Sequence, residues 1–143
     1  MNLFYNRVWS IKIRRNMMRE SVLCPKCFGH LKVGDSVVFS TRSKKNEVGL
    51  ILLSPQLGNY KVSSHPSFQI EEGDYVEFFC PLCHIQLTSE KNENLAKVLM
   101  IDEELKESEI LFSKIAGERC TYKIVGSNIE KFGEDSARYL EFV

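Results

Sequence analysis

No stretch of the 143-residue chain approaches the roughly 18 consecutive apolar residues that a membrane helix needs. The chain also lacks a Gly-rich phosphate loop, a nucleophile elbow, and any Ser/His/Asp or Cys/His arrangement at a workable spacing. Those absences argue against nucleotide-cradling and nucleophilic hydrolase chemistry. Neither sign of charge is in excess: 19 basic and 19 acidic residues leave a formal net charge of +0, so the chain as a whole lacks the basic balance of a phosphate-gripping protein. Its five cysteines are an odd number, unlike the even count of a secreted disulfide framework.

The neutral total hides an uneven distribution. Residues 1–20 carry Arg7, Lys12, Arg14, Arg15 and Arg19 against Glu20 alone, which leaves residues 21–143 acidic. The first twenty residues have no apolar core and no small-residue cleavage site of a secretory signal, and they are poor in serine for an organellar transit peptide. They are expected to form an edge strand over residues 8 to 13, where Ile11 and Ile13 alternate with charged neighbours, or an upstream extension preceding a start at Met17 or Met18. Residues 21–143 are expected to form a single β-rich metal-binding domain.

What the chain does have is a repeat. Cys24-Pro25-Lys26-Cys27-Phe28-Gly29-His30-Leu31 aligns with Cys80-Pro81-Leu82-Cys83-His84-Ile85-Gln86-Leu87, giving C-P-x-C-x-x-x-L twice. Two copies do not make a solenoid, which needs several stacked units. They read as one local device used twice and brought together in space. A Cys-x-x-Cys turn lets two sulfurs reach one ion while successive amides point at them, and Pro25 and Pro81 fix φ within that turn. Two turns supply four thiolates, which closes a tetrahedral zinc site with no open position. Cys24, Cys27, Cys80 and Cys83 are therefore the expected ligands of one structural Zn2+. Rubredoxin-like iron carriers also pair two such turns, but they place Gly directly after the second Cys, where φ is positive. Here those positions hold Phe28 and His84, and residues 28 to 79 make a far longer insert.

The signals between and after the knuckles are those of β structure. "SVVFSTR" and "VGLILLS" flank the polar turn "SKKNE"; "GNYKVSS", "HPSFQI" and "YVEFFCP" follow, the last delivering Cys80 at its end. "AKVLMID", "EILFSKIA" and "CTYKIVG" read as a three-strand meander with turns at "EELKES" and "GER", although residues 95 to 105 also carry good helix formers. "EDSARYLEF" fits either a short helix capped by Asp135 or a final strand. The expected class is mainly β, with a zinc-ribbon-like double knuckle clipping an antiparallel sheet or meander.

The remaining chemical candidates are His30 and His84, near the knuckles as possible supporting or replacement ligands, His65 in a loop, and Cys120 in an apparent strand as a small core residue. With "CPKCFGHL" and "CPLCHIQL" in view, and more loosely "VEFFCPLC" and "FSKIAGERCTYKI", the chain resembles small bacterial zinc-ribbon proteins from about Arg14 to its end. The resemblance implies a soluble cytoplasmic protein with one zinc, and no particular activity. The expected role is a protein-interaction or regulatory module whose partner is another protein. A nucleic-acid-binding ribbon is the alternative, resting on Arg42, Lys44 and Lys45 in one turn, and a rubredoxin-like or thiol-redox role comes third. No membrane partner and no catalytic residue is expected.

Overall fold

The computed structural model describes residues 20 to 143, so the edge strand expected over residues 8 to 13 lies outside the described residues. Among the described residues the strands run β1 (Glu20–Leu23), β2 (Lys32–Val33), β3 (Ser36–Arg42), β4 (Val48–Leu53), β5 (Val62–Ser64), β6 (Glu77–Phe79), β7 (Leu95–Asp102), β8 (Glu107–Ser113), β9 (Thr121–Val125) and β10 (Asn128–Phe132). They form two antiparallel sheets. The first has the order β1-β7-β8-β9-β10, and the second β2-β3-β4-β5 with β6 added beside β3. The mainly β class with its cysteine knuckles is the observed one.

Side-chain alternation explains how the sheets face each other. Along β3, Val37, Phe39 and Thr41 are buried while Val38, Ser40 and Arg42 point outward. Phe39 and Phe78 from the second sheet meet Phe112 from the first, with ring centroids 5.2 to 5.5 Å apart and two of the three contacts edge-on. Edge-to-face pairs of this kind add about 0.5–1.5 kcal/mol beyond area burial. Val22, Val98, Met100 and Ile110 complete the first sheet's side of this core.

β7 settles the helix-or-strand ambiguity of residues 95 to 105 as a strand. Ala96, Val98 and Met100 face the core between the sheets, whereas Leu95 joins a second cluster with Leu111, Cys120, Tyr122, Ile124 and Tyr139. A strand buried on both faces reads as a continuous apolar run, which is why alternation alone did not mark it. The second cluster lies on the far face of the first sheet and is covered by Tyr139 and Val143 of the C-terminal segment.

Three expectations change. "HPSFQI" is not a strand: the Phe68 amide donates to His65 O, and the Phe68 ring lies against Gly49, where an added Cβ would stand 2.6 to 2.8 Å from ring atoms. The C-terminal meander gains β10, paired to β9 through the turn at Gly126. "EDSARYLEF" becomes turns and a single 3₁₀ turn, Leu140–Phe142. Asp135 caps no helix there and instead accepts the Arg119 amide on Oδ2.

Candidate metal centre

The centre is built where strand edges run out. β4 occupies one edge of β3 from Val37 to Arg42. The other edge is therefore shared end to end by β2, opposite Ser36 and Val37, and by β6, opposite Ser40 to Arg42. The same arrangement recurs on β7. β8 takes one edge from Leu95 to Ile101. The other is divided between β1, opposite Leu99 to Asp102, and the segment after the second knuckle, where Thr88 bridges Ala96 and the Lys97 amide donates to Leu87 O.

Each knuckle is thus the tip of a hairpin with one arm in each sheet. The first joins β1 to β2 through the Leu23–His30 bridge, and the second joins β6 to residues 86–88 through the Phe79–Gln86 bridge. The repeat seen in the sequence is repeated bond for bond. Leu31 N–H donates to Val22 O and Leu87 N–H to Phe78 O, both at 2.8 Å. Within the tips, Phe28 N–H donates to Cys24 O at 3.0 Å and His84 N–H to Cys80 O at 2.9 Å.

These tips bring the sulfurs of Cys24, Cys27, Cys80 and Cys83 to within 4.8 Å of one another, a group able to hold a metal ion. Cys24 Sγ lies 3.8 Å from Cys83 Sγ, and Cys27 Sγ 3.8 Å from Cys80 Sγ. Metal–sulfur bonds of about 2.3 Å at the tetrahedral angle place sulfurs about 3.8 Å apart. The donor set and its spacing therefore fit one tetrahedral ion drawing two thiolates from each knuckle. All five cysteines are unbridged.

Backbone amides surround the sulfurs. Lys26 N–H donates to Cys24 Sγ at 3.4 Å and Gly29 N–H to Cys27 Sγ at 3.3 Å; Leu82 and Cys83 N–H both donate to Cys80 Sγ. Cys24 and Cys80 are buried, while Cys27 and Cys83 are exposed at the tip. Burial pushes the Cys24 thiol up to about 12, against the opposing pull of the Cys27 and Lys26 amides. The Ile85 amide draws Cys83 down to about 7. A cation at the centre of the four sulfurs is what would make the buried member ionise.

Phe28 and His84 both hold positive φ, 57° and 67°. The turn demands that conformation even where glycine is missing. A Cβ at Gly29 would meet the exposed Leu82 side chain of the opposite knuckle, which would have to swing aside. His30 and His84 are exposed, and neither belongs to the sulfur cluster. His65 Nδ1 is engaged with Ser67 Oγ at 2.6 Å. Cys120 sits in the second apolar cluster on the far face of the first sheet, as a core residue.

The cations in the β3–β4 turn are partly spoken for. Arg42 pairs with Glu77 at 3.7 Å and lies over the Phe79 ring, and Lys44 pairs with Asp74 at 3.8 Å. Sequence reasoning missed the exposed Phe28 and Leu82 beside the sulfurs and the fully buried Lys114. Leu82 was legible only as the variable position of the knuckle motif, and Phe28 only as the residue in glycine's place after the second cysteine. No family model, no curated protein and no solved structure matches this chain. Among the described residues no helix is long and apolar enough to cross a membrane.

Proposed function

We propose that this chain is a structural zinc-binding protein whose single Zn2+ fastens two sheets along one margin, and that it serves as a protein-interaction module in the reducing cytoplasm. Four thiolates leave zinc no open position for substrate, which favours a structural over a catalytic ion. Zinc is preferred to iron because residues 28 to 79 put a far longer insert between the two knuckles than rubredoxin-like carriers have. Thiols held as ligands suit a compartment that keeps them reduced.

The observation that carries the interaction reading is the outer face of the second sheet. An antiparallel sheet with one solvated face normally presents polar residues there. Here the outward positions include Val33, Val48 and Leu50, which are 67%, 67% and 54% exposed, and half-buried Val38, Leu52 and Phe79. The equivalent face of the first sheet is covered by the C-terminal segment. Apolar faces left open in this way mark contact sites. The partner is another protein offering an apolar, weakly charged surface, so the contact should persist at high salt. The nucleic-acid alternative has less support, since Arg42 and Lys44 already face carboxylates.

The test compares the wild-type chain with Val48→Asp/Leu50→Asp, both checked first for one zinc per chain by elemental analysis. A partner recovered with the wild type in 0.5 M salt and lost with the variant supports the reading. Recovery of none above background, or equal recovery by both, overturns the interaction role. A salt-resistant dimer of the wild type that the variant abolishes reassigns the face to a second copy. Absence of zinc overturns the metal assignment separately.

A further inference from the structure

The two sheets, joined by the knuckles along one margin, leave between them a cleft of about 940 Å³, the largest among the described residues. Its walls are apolar and come from both sheets: Phe39, Ile51 and Leu53 from the second, Val98, Ile110 and Phe112 from the first. Protein interiors are normally packed as densely as organic crystals, so apolar walls that stand this far apart leave burial unrealised.

The rim of the cleft is acidic. Glu71, Glu72 and Glu134 line it from exposed positions and enter none of the ion pairs among the described residues. A fourth lining carboxylate, Glu118, is taken up by Ser113, Tyr139 and Arg138. Of the lining cations, Lys114 is buried with its ammonium on Tyr75 Oη and Thr88 Oγ1. That leaves Arg119, 6.0 Å from the centre of the Tyr60 ring, against three free carboxylates.

One end of the cleft lies where the chain enters the fold. Val22 lines the cleft, and it is linked to β3 through Leu31, whose N–H donates to Val22 O and whose carbonyl accepts the Val38 amide. Glu20 stands two residues before Val22, opposite Asp102, the last residue of β7. β7 therefore offers no further partner to the chain that precedes Glu20.

That preceding stretch of nineteen residues matches the cleft in character. It carries Arg7, Lys12, Arg14, Arg15 and Arg19 with no acid, and Phe4, Val8, Trp9, Ile11 and Ile13 among its apolar residues. Extended at about 3.3 Å per residue it reaches on the order of 60 Å, far beyond the length of the eight-residue β7 that borders the cleft.

We propose that the cleft between the sheets is the docking site of residues 1–19 of the same chain. Apolar side chains of the segment fill the space between the walls, and its basic side chains meet Glu71, Glu72 and Glu134. The cleft has room for a few of these side chains at once, so the rest of the segment lies across the rim. Attachment at Glu20 makes modest contacts sufficient. A short tether holds its segment at about millimolar effective concentration, so contacts too weak to join separate molecules suffice within one. This contact is independent of the metal centre and of the open outer face of the second sheet.

Trp9 is the single tryptophan of the chain and reports on this segment. The experiment follows Trp9 emission and its quenching by acrylamide in the zinc-loaded full chain at low micromolar concentration, beside a synthetic peptide of residues 1–19. The full chain is expected to emit further to the blue and to be quenched at least about threefold more weakly than the peptide. Leu57→Asp, in the cleft wall at a half-buried position, should keep one zinc and raise the quenching at least about twofold. Glu71→Lys/Glu72→Lys should do the same from exposed positions, and it decides alone if Leu57→Asp does not fold. Quenching equal to that of the peptide overturns the proposal, as does shielding that the folded variants leave unchanged. Shielding that only Val48→Asp/Leu50→Asp removes places the segment on the outer face of the second sheet and also overturns it. Shielding that fades on dilution together with a dimer assigns the segment to a second copy's cleft and overturns docking within one chain.

Discussion

Phe28 and His84 stand at the same place in the two knuckles, each directly after its second cysteine, and each holds the left-handed backbone conformation at φ 57° and 67°. That conformation costs an ordinary residue about 1–2 kcal/mol, whereas glycine adopts it freely but loses about 0.5–1 kcal/mol more chain entropy on folding. Both side chains are exposed, so little packing is lost. Phe28→Gly and His84→Gly should therefore keep the metal and range from neutral to about 1 kcal/mol more stable. Chemical denaturation of the zinc-loaded variants measures this; a clear loss of stability in both would show that these side chains support the knuckles.

The sulfurs of Cys24 and Cys80 belong to different knuckles but to one cluster. Cys24→Ser and Cys80→Ser should each weaken zinc binding by about a hundredfold, about a quarter of a structural site's binding energy. The double variant should be little worse than either single one, because the second loss strikes a site already broken. Cys120→Ser should keep full zinc and cost about 0.5–3 kcal/mol, as a core substitution. Zinc stoichiometry and melting temperature across the four variants decide it. Full zinc in Cys24→Ser alongside none in Cys80→Ser would separate the knuckles.

The Phe39–Phe78–Phe112 group joins the two sheets across the core. Phe39→Ala should cost about 3–5 kcal/mol. Leu50→Ala, on the open face of the same sheet, should change stability by no more than about 0.5 kcal/mol. Urea unfolding of the two variants gives the comparison, and equal losses would mean that the open face is packed in solution.

Three tyrosines are held back from ionising, in each case chiefly by burial: Tyr60 and Tyr122 are raised, and Tyr139 is pushed up to about 12, with the Glu118 carboxylate adding to it. An acid whose pKa is higher in the folded state keeps its proton there while the unfolded chain releases it. The stability these groups contribute is thus intact below about pH 10, the ordinary tyrosine value, and is lost as pH rises from there through about 12. Phenolate absorbance should lag behind that of free tyrosine and then rise together with unfolding in that window. Early, unfolding-independent ionisation of all the tyrosines would refute it.

Much of this was legible because it is local. The knuckles announce themselves in eight residues each, and "SVVFSTR" shows its two faces in plain alternation. The turn expected at "EELKES", residues 103 to 108, was marked by its acids; it closes earlier, where Asp102 Oδ1 accepts the Glu104 and Lys106 amides and β8 begins at Glu107. β10 was not legible because "NIEKF" has almost no buried face and is held by its ladder to β9 and by the Tyr60 hydroxyl on Phe132 O. "HPSFQI" misled because Phe68 is buried through a turn, by filling the space over Gly49. The division of each knuckle's arms between β3 and β7 depends on pairings between distant residues, which no short window contains.

That division also sets an order in time. Cys24 and Cys27 leave the ribosome long before Cys80 and Cys83, and at about 5–20 residues per second the first pair waits on the order of several seconds for the second. During that interval neither β6 nor β7 exists, so the first hairpin has no edge for one of its arms and half a coordination shell. The nascent chain carries an exposed dithiol that any passing metal, oxidant or second nascent chain can engage. A cell making this protein has to keep the newborn first knuckle reduced and unclaimed until its counterpart arrives.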